Sequence, residues 1–328
     1  MWFKNLMGFE EVSHENVQKN IVLDGENLTS IVNGKSYRHG TLELASLEDL
    51  RNRISLDEFS GKIQISEVVG NVMNFHRDAD NADSVFQAAS QFNLLEMVGP
   101  NVTPEEGIDI YENDKTQGPA CAISCGAGTT YRNYLIPLNG KTGQTTNNQI
   151  DCLELIDKEL GNQNRMWKMK NGYVIFTSEG LKQTNSKISS MSVQERENLK
   201  GKLQVGIQWN TEVTISDSGH HVTQVYCAAV PVSYHYNIDT EYWETFARVL
   251  LEAAYEATFY TAVQNFKQTG NDKLFLTLVG GGVYGNRNEW ILDAIAMAME
   301  KFRHVPLDVK IVTYGYSSPE IRNFVAQF

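Results

Sequence analysis

The sequence predicts an α/β fold with a mixed, largely parallel sheet covered by helices, and three observations point to it. First, strands at 203–213 and 221–230 precede a long amphipathic helix over 240–266. A buried strand at 273–279, a helix over 288–302 and a strand at 307–314 follow. That alternation implies parallel pairing, because each strand can return to the same sheet only by a crossover that lays a helix on its face. Second, two further strand patterns lie upstream. One runs through Ile63, Ile65, Val68 and Val69, and the other through Ser84-Val85-Phe86 into Gln87-Ala88-Ala89-Ser90. Third, 328 residues with 41% hydrophobic and 21% charged side chains are ample for one large core or two domains.

Residues 1–60 read as an α-rich extension, with a charged helical run at Ser46-Leu47-Glu48-Asp49-Leu50-Arg51-Asn52-Arg53, and residues 61–328 as the main domain. Residues 91–134 are loop-rich, and the polar stretch 139–204 reads as an insertion. Within it are a helix near 149–160 and a hairpin over 167–176, whose Asn171-Gly172 pair suits the positive φ angles of a two-residue turn. A helix starts at Ser192, with Glu195 completing a capping box. Trp243, Phe246, Leu250, Tyr255 and Phe259 form a core-facing helical stripe.

Charge and cysteine usage narrow the function classes. A net charge of −12 opposes binding to a nucleic-acid backbone, so no nucleic-acid partner is expected. No stretch approaches the roughly 18 consecutive apolar residues of a membrane span, and the first ten residues lack a secretory apolar region. A soluble, cytoplasmic protein without a membrane partner is the expectation. Cys121, Cys125, Cys152 and Cys227 read as reduced, buried residues, since one C-x3-C pair is a poor zinc signature. His220-His221 has no third ligand in the sequence, so neither a metal nor a cofactor is expected.

The most informative segment is Val279-Gly280-Gly281-Gly282-Val283-Tyr284-Gly285-Asn286, between a buried strand and a helix. Glycines let backbone N–H groups approach an anion, and the helix start adds partial positive charge. The bland alternative is a tight turn without a ligand, but three successive glycines exceed what a turn needs. A Walker loop would end in Gly-Lys-Ser/Thr, which is absent. A dinucleotide fold would need further strand–helix units after the loop, whereas one helix and one strand follow.

The segment from Leu274 to Tyr314 resembles the last strand–loop–helix–strand of a macrodomain. Gly70-Asn71-Val72 resembles the Gly-Asp-Ile of macrodomains, with Asn71 at the adenine-contacting position. Val85-Phe86-Gln87-Ala88-Ala89-Ser90 resembles their Ile-Val-Asn-Ala-Ala-Asn; Ser90 departs from it, leaving Asn93 as a candidate for the distal ribose. The run from Phe86 to Met97, then Thr103-Pro104-Glu105-Glu106-Gly107-Ile108 and Tyr111 to Cys121, is similar to an atypical, poly(ADP-ribose) glycohydrolase-like macrodomain family. That family includes a bacterial effector that removes ADP-ribose from arginine on ubiquitin. The resemblance implies a three-layer α/β/α macrodomain-like fold and hydrolysis of ADP-ribosyl-arginine. It also implies ADP-ribose as ligand and product, and an ADP-ribosylated protein, ubiquitin among the candidates, as substrate.

On this resemblance Glu106 and Asp114 are the catalytic acids, with Asp109 and Glu112 as competitors and solvated loop acids as the bland alternative. The ADP-ribose contacts it implies are Asn71, Gln87, Asn93, Thr116, Gln117, Gly280, Gly281, Gly282, Val283, Tyr284, Gly285, Asn286 and Tyr314. Tyr314 and Tyr316 leave the last strand where an adenine could stack, and packing is their alternative. Arg132 reads as a buried structural hydrogen-bonder. Cleaving the N-glycosidic bond passes through an oxocarbenium-like state, which suits one carboxylate near the anomeric carbon and a second for water or the leaving group. A reader that binds ADP-ribose without cutting, and a phosphatase acting on ADP-ribose-1″-phosphate, are the competing functions. The insertion is a candidate for substrate selection.

Overall fold

The computed structural model describes residues 1–328. Its centre is a seven-stranded sheet, numbered here along the chain as β1 (Thr41–Ser46), β2 (Gln64–Val69), β3 (Val85–Ser90), β4 (Gln204–Glu212), β5 (His221–Ala228), β6 (Lys273–Leu276) and β7 (Asp308–Thr313). The spatial order is β1-β4-β5-β3-β6-β7-β2. From β5 to β2 every pairing is parallel, with Val225 opposite Gln87, Leu274 opposite Val85, Leu276 opposite Ile311 and Val309 opposite Ile65. The antiparallel strands β1 and β4 close one edge. The mixed, largely parallel sheet expected from the sequence is therefore what forms, and β4 alone runs against the other six strands.

Helices cover both faces. On one lie α1 (Leu47–Arg53), α4 (Glu244–Thr269) and α5 (Asn288–Lys301); on the other lie α2 (Val72–Arg77) and α3 (Gln117–Ser124). The helix α4 is buried on most sides and is not the amphipathic helix expected over 240–266. Phe246, Leu250, Leu251, Tyr255 and Phe259 are all inaccessible, because α1, α5 and the helices Ser178–Ser190 and Val193–Gly201 wrap its outer side. A helix buried on most sides need not keep a polar face. It stops at Gly270, whose φ of 80° is the left-handed conformation that caps a helix C-terminus at little cost in glycine.

The α-rich reading of residues 1–60 is corrected. Beside the short helices Trp2–Met7 and His14–Lys19, three strands, Ile21–Asp24, Asn27–Ser30 and Ser36–Arg38, form a small antiparallel sheet. Leu28 alternates inward between exposed or half-exposed neighbours, which is the pattern of a one-faced strand. The next strand, β1, pairs with β4, from Ser46 opposite Gln204 to Thr41 opposite Trp209. A boundary at 60 would therefore cut the central sheet. The charged run at 46–53 does form a helix, started by a Ser46–Asp49 capping box. Phe3, Met7, Val17 and Leu28 build a second, smaller core against Met97, Ile108, Tyr111 and Tyr134.

Residues 139–203 add no strand to the central sheet. They hold the helix Glu154–Leu160 and a hairpin of Trp167–Lys170 with Tyr173–Phe176, turned through Asn171 and Gly172 at φ of 46° and 77°. All four cysteines are free and buried. No helix is long and apolar enough to cross a membrane.

Phe246 is inaccessible and packs its ring 5.6 Å from that of Trp167 and 5.5 Å from that of Phe176. Phe246→Ala should lower unfolding free energy by about 3–5 kcal/mol, read by chemical denaturation, because the cavity left behind cannot collapse between two rigid rings.

Candidate active site

A cavity of about 500 Å³ opens at the carboxyl ends of the parallel strands. This is where open α/β sheets bind ligands, and the volume lies in the range of small-molecule sites. The strand order sets out its contents. Ala229 and Tyr234 follow β5, Ala89 to Gln91 and Glu96 to Val98 complete and follow β3, the glycine loop follows β6, and Tyr314 and Tyr316 follow β7. The glycine loop thus sits between an acidic end beside β3 and an aromatic end beside β7.

The loop is held from behind. Tyr255 of α4 donates its hydroxyl to Thr277 O at 2.7 Å and accepts from Val279 N at 3.1 Å. Gly280 has φ of 77°, and a Cβ there would lie 2.5 Å from Ala229 Cβ. Only glycine fits that backbone and that approach. The N–H groups of Gly280, Gly282, Val283 and Tyr284 donate to no protein acceptor. The loop then runs into the first turn of α5, a setting suited to an anion. Gly282, Val283 and Tyr284 line the cavity with Gly280; Gly281, Gly285 and Asn286 do not. Gly281 packs toward Ile291, and Gly285, at φ of 73°, passes against Ser233. Asn286 ties the loop together, donating its side-chain amide to Val230 O at 2.8 Å and Gly280 O at 3.1 Å.

At the acidic end two carboxyls line the cavity, Asp114 and Glu96. Asp114 is half-buried and accepts Thr116 N at 2.8 Å through Oδ1, fixing it at the entrance to α3. Glu96 is 6% exposed, and its Oε1 has no hydrogen-bond partner in the protein. Its backbone N–H is held by the Tyr111 hydroxyl at 2.9 Å. Gly118, in the first turn of α3, allows this packing: a Cβ would run into Ala89 O and Glu96 Oε2. Burial raises the Glu96 carboxyl well above the usual carboxylate range; the Arg132 charge opposes the rise and the Asp114 charge adds to it. Arg132 itself is buried, donates to Leu94 O at 3.3 Å and Thr129 Oγ1 at 2.9 Å, and stacks 3.7 Å over the Tyr226 ring.

The remaining wall is aromatic and polar. Tyr284 meets Tyr173 and Tyr234 at ring separations of 5.6 and 5.7 Å, and its buried hydroxyl has no partner. Tyr173 comes from the insertion hairpin and donates to Met97 O at 2.6 Å, so the hairpin braces the loop that carries Glu96. Thr116 lines the mouth, and Gln117 accepts Val72 N at 3.0 Å while its buried side-chain nitrogen is unpartnered. Tyr314 and Tyr316 are 57% and 79% exposed, which leaves their rings free to stack on a ligand.

Four other expected site residues lie off the cavity. Glu106 is exposed and accepts Thr103 N at 3.0 Å, so it caps the short helix Pro104–Glu106 and has no access to the site. Its competitors Asp109 and Glu112 accept Phe3 N and Trp2 N, each at 3.1 Å, on the N-terminal side. Asn71 caps α2 through Met73 N at 2.9 Å. Gln87 points to α4, donating to Thr258 Oγ1 at 3.0 Å, because alternate residues of β3 face opposite sides of the sheet. Asn93 holds a turn through Leu95 N at 3.1 Å and donates to Gln149 at 2.9 Å. Glu96 is the functional candidate that motif matching missed. Its signal was a lone acid inside the apolar run Leu94-Leu95-Glu96-Met97.

No family model matches the chain, and no curated protein matches it. Among solved structures, a poly(ADP-ribose) glycohydrolase of Thermomonospora curvata bound to the inhibitor ADP-HPD is similar over 99% of both chains, at 12% identity and a TM-score of 0.47. A further structure of the Thermomonospora curvata enzyme is similar over 99% of this chain and 97% of that one, at 13% identity and a TM-score of 0.45. The poly(ADP-ribose) glycohydrolase of Deinococcus radiodurans in complex with ADP-ribose is similar over 87% of this chain and 92% of that one, at 10% identity and a TM-score of 0.42. Likeness of this degree assigns no activity to the chain.

Proposed function

We propose that the protein binds ADP-ribose and hydrolyses its linkage to a protein side chain, with arginine as the acceptor residue. The observation that carries this reading is the pairing, in one cavity, of a glycine loop offering undirected N–H donors with two carboxyls of unlike environment. The N–H groups of Gly282, Val283 and Tyr284 suit a diphosphate, and Tyr314 and Tyr316 suit an adenine face. The distal ribose then lies at the Glu96–Asp114 end. The motif resemblance over residues 86–121 supports arginine as the leaving group, and a cation leaving from between two acids suits the charge.

The two acids divide the work by environment. Glu96, kept protonated by burial, donates to the departing guanidine nitrogen as the C1″–N bond breaks and its electron pair moves to nitrogen. Asp114, half-buried, faces the positive charge that develops on the ribose, orients the water whose oxygen bonds to C1″, and takes the proton that this water loses. The test is incubation with an arginine-ADP-ribosylated protein, following release of ADP-ribose. The wild-type protein should release it. Glu96→Gln and Asp114→Asn should each slow turnover by about 100- to 10,000-fold with ADP-ribose affinity retained. Label that stays attached while free ADP-ribose still binds would leave only a reader.

Glu96 also carries a stability signature. Its folded pKa lies above the ordinary 4.5, so the folded state keeps a proton that the unfolded chain releases. Stability is therefore lost as pH rises past that value. Glu96→Gln should gain about 1–2 kcal/mol at neutral pH by thermal or denaturant unfolding, and the gain should vanish near pH 4. A variant that is more stable yet inactive is the expected outcome.

A further inference from the structure

We propose that Glu11 is a positioning residue for the acidic end of the cavity, holding in place the segment 107–113 that delivers Asp114. The proposal rests on the hydrolase reading and concerns a residue outside the cavity. Asp114 stands at the end of the short helix Asp109–Asn113, a single turn with few bonds of its own. Glu11 closes the start of that turn. Its Oε1 accepts Ile108 N at 2.9 Å, its Oε2 accepts Asp109 N at 2.7 Å, and the buried Tyr134 donates its hydroxyl to Oε1. A short helix leaves its first N–H groups without internal partners, and one carboxylate here satisfies two of them.

The surrounding sequence is arranged around this contact. Gly107 has φ of 91°, and a Cβ at that position would collide with the Glu11 carboxylate. The same segment is tied from the N-terminal side by Trp2 Nε1 to Ile108 O and Phe3 N to Asp109 Oδ1, each at 3.1 Å. Tyr111, inside the helix, holds the backbone N–H of Glu96. Displacement of 107–113 would therefore disturb both acids together, while the glycine loop, anchored on Tyr255, would stay. Glutamine cannot replace Glu11 in this role: its single oxygen would serve three donors, and its NH2 group would face an N–H.

The experiment compares full-length wild type, Glu11→Ala and Tyr134→Phe by amide hydrogen exchange and by kinetics on an arginine-ADP-ribosylated protein. In Glu11→Ala, exchange over 107–114 should rise about tenfold or more with exchange over 279–286 unchanged. The kcat should fall about 100-fold, and the affinity for free ADP-ribose should change less than about threefold. Tyr134→Phe, which leaves both backbone bonds, should move in the same direction by less. Unchanged exchange over 107–114 overturns the proposal. So does a fall in kcat matched by an equal loss of ADP-ribose binding, which is the mark of general damage. If wild type releases no ADP-ribose, the hydrolase reading fails, while exchange still decides whether Glu11 holds the segment. If Glu11→Ala does not fold, Tyr134→Phe decides alone, and wild-type exchange and kcat in that variant overturn the proposal.

Discussion

The structure turns on one buried phenol. Tyr255, in the middle of the most enclosed helix, reaches across to the end of β6 and bonds Thr277 O and Val279 N together. Those are the last main-chain groups before the glycines, so the loop departs from a point fixed by the core. Buried backbone polar groups must find partners, and here a helix side chain supplies both, leaving the next N–H groups undirected. The cavity is thus preorganised by packing. The loop's geometry is set by Tyr255, Asn286 and close contacts with Ala229 and Ser233.

The acidic end is built on a different principle. Its elements are short, and their order comes from side chains that cap or brace them: Asp114 on Thr116, Tyr111 on Glu96, Tyr173 on Met97. Leu95, Met97, Ile108 and Tyr111 anchor these segments in the smaller core, and the capping bonds fix the polar groups between those anchors. A rigid glycine loop stands beside a braced pair of acids, so the two ends of the cavity can respond separately to substitution. The acidic end also places an unpartnered carboxyl oxygen at low exposure, a costly arrangement that a stability-driven sequence would discard.

Much of the sheet is legible in the sequence, because β3, β5, β6 and β7 are strand-forming segments between clear turn signals, and long helical stretches separate β5, β6 and β7. The edge strand β1 is not. Its partner β4 lies some 160 residues onward, and the adjoining Ser46–Arg53 helix dominates the local pattern. For the site, the glycine loop was readable from composition, but the division of labour within it was not. Whether Gly282 faces the cavity and Gly281 the core depends on how the following helix folds back to set Ile291 against Gly281. Glu106 shows the opposite case. Thr103-Pro104-Glu105-Glu106 has the same Thr/Ser-x-x-Glu spacing as Ser192 to Glu195, and that spacing marks a cap. Local physical chemistry assigned it better than motif position did.

The four cysteines carry a practical consequence. Each is buried, and burial pushes every one of their thiols above the ordinary range, so none offers a thiolate to a reagent in neutral buffer. The native chain is therefore a silent background for maleimide or spin-label chemistry. A single cysteine placed at an exposed rim position such as Tyr316 would take up a probe alone, giving a direct optical or magnetic report of ligand entry without first stripping the native thiols.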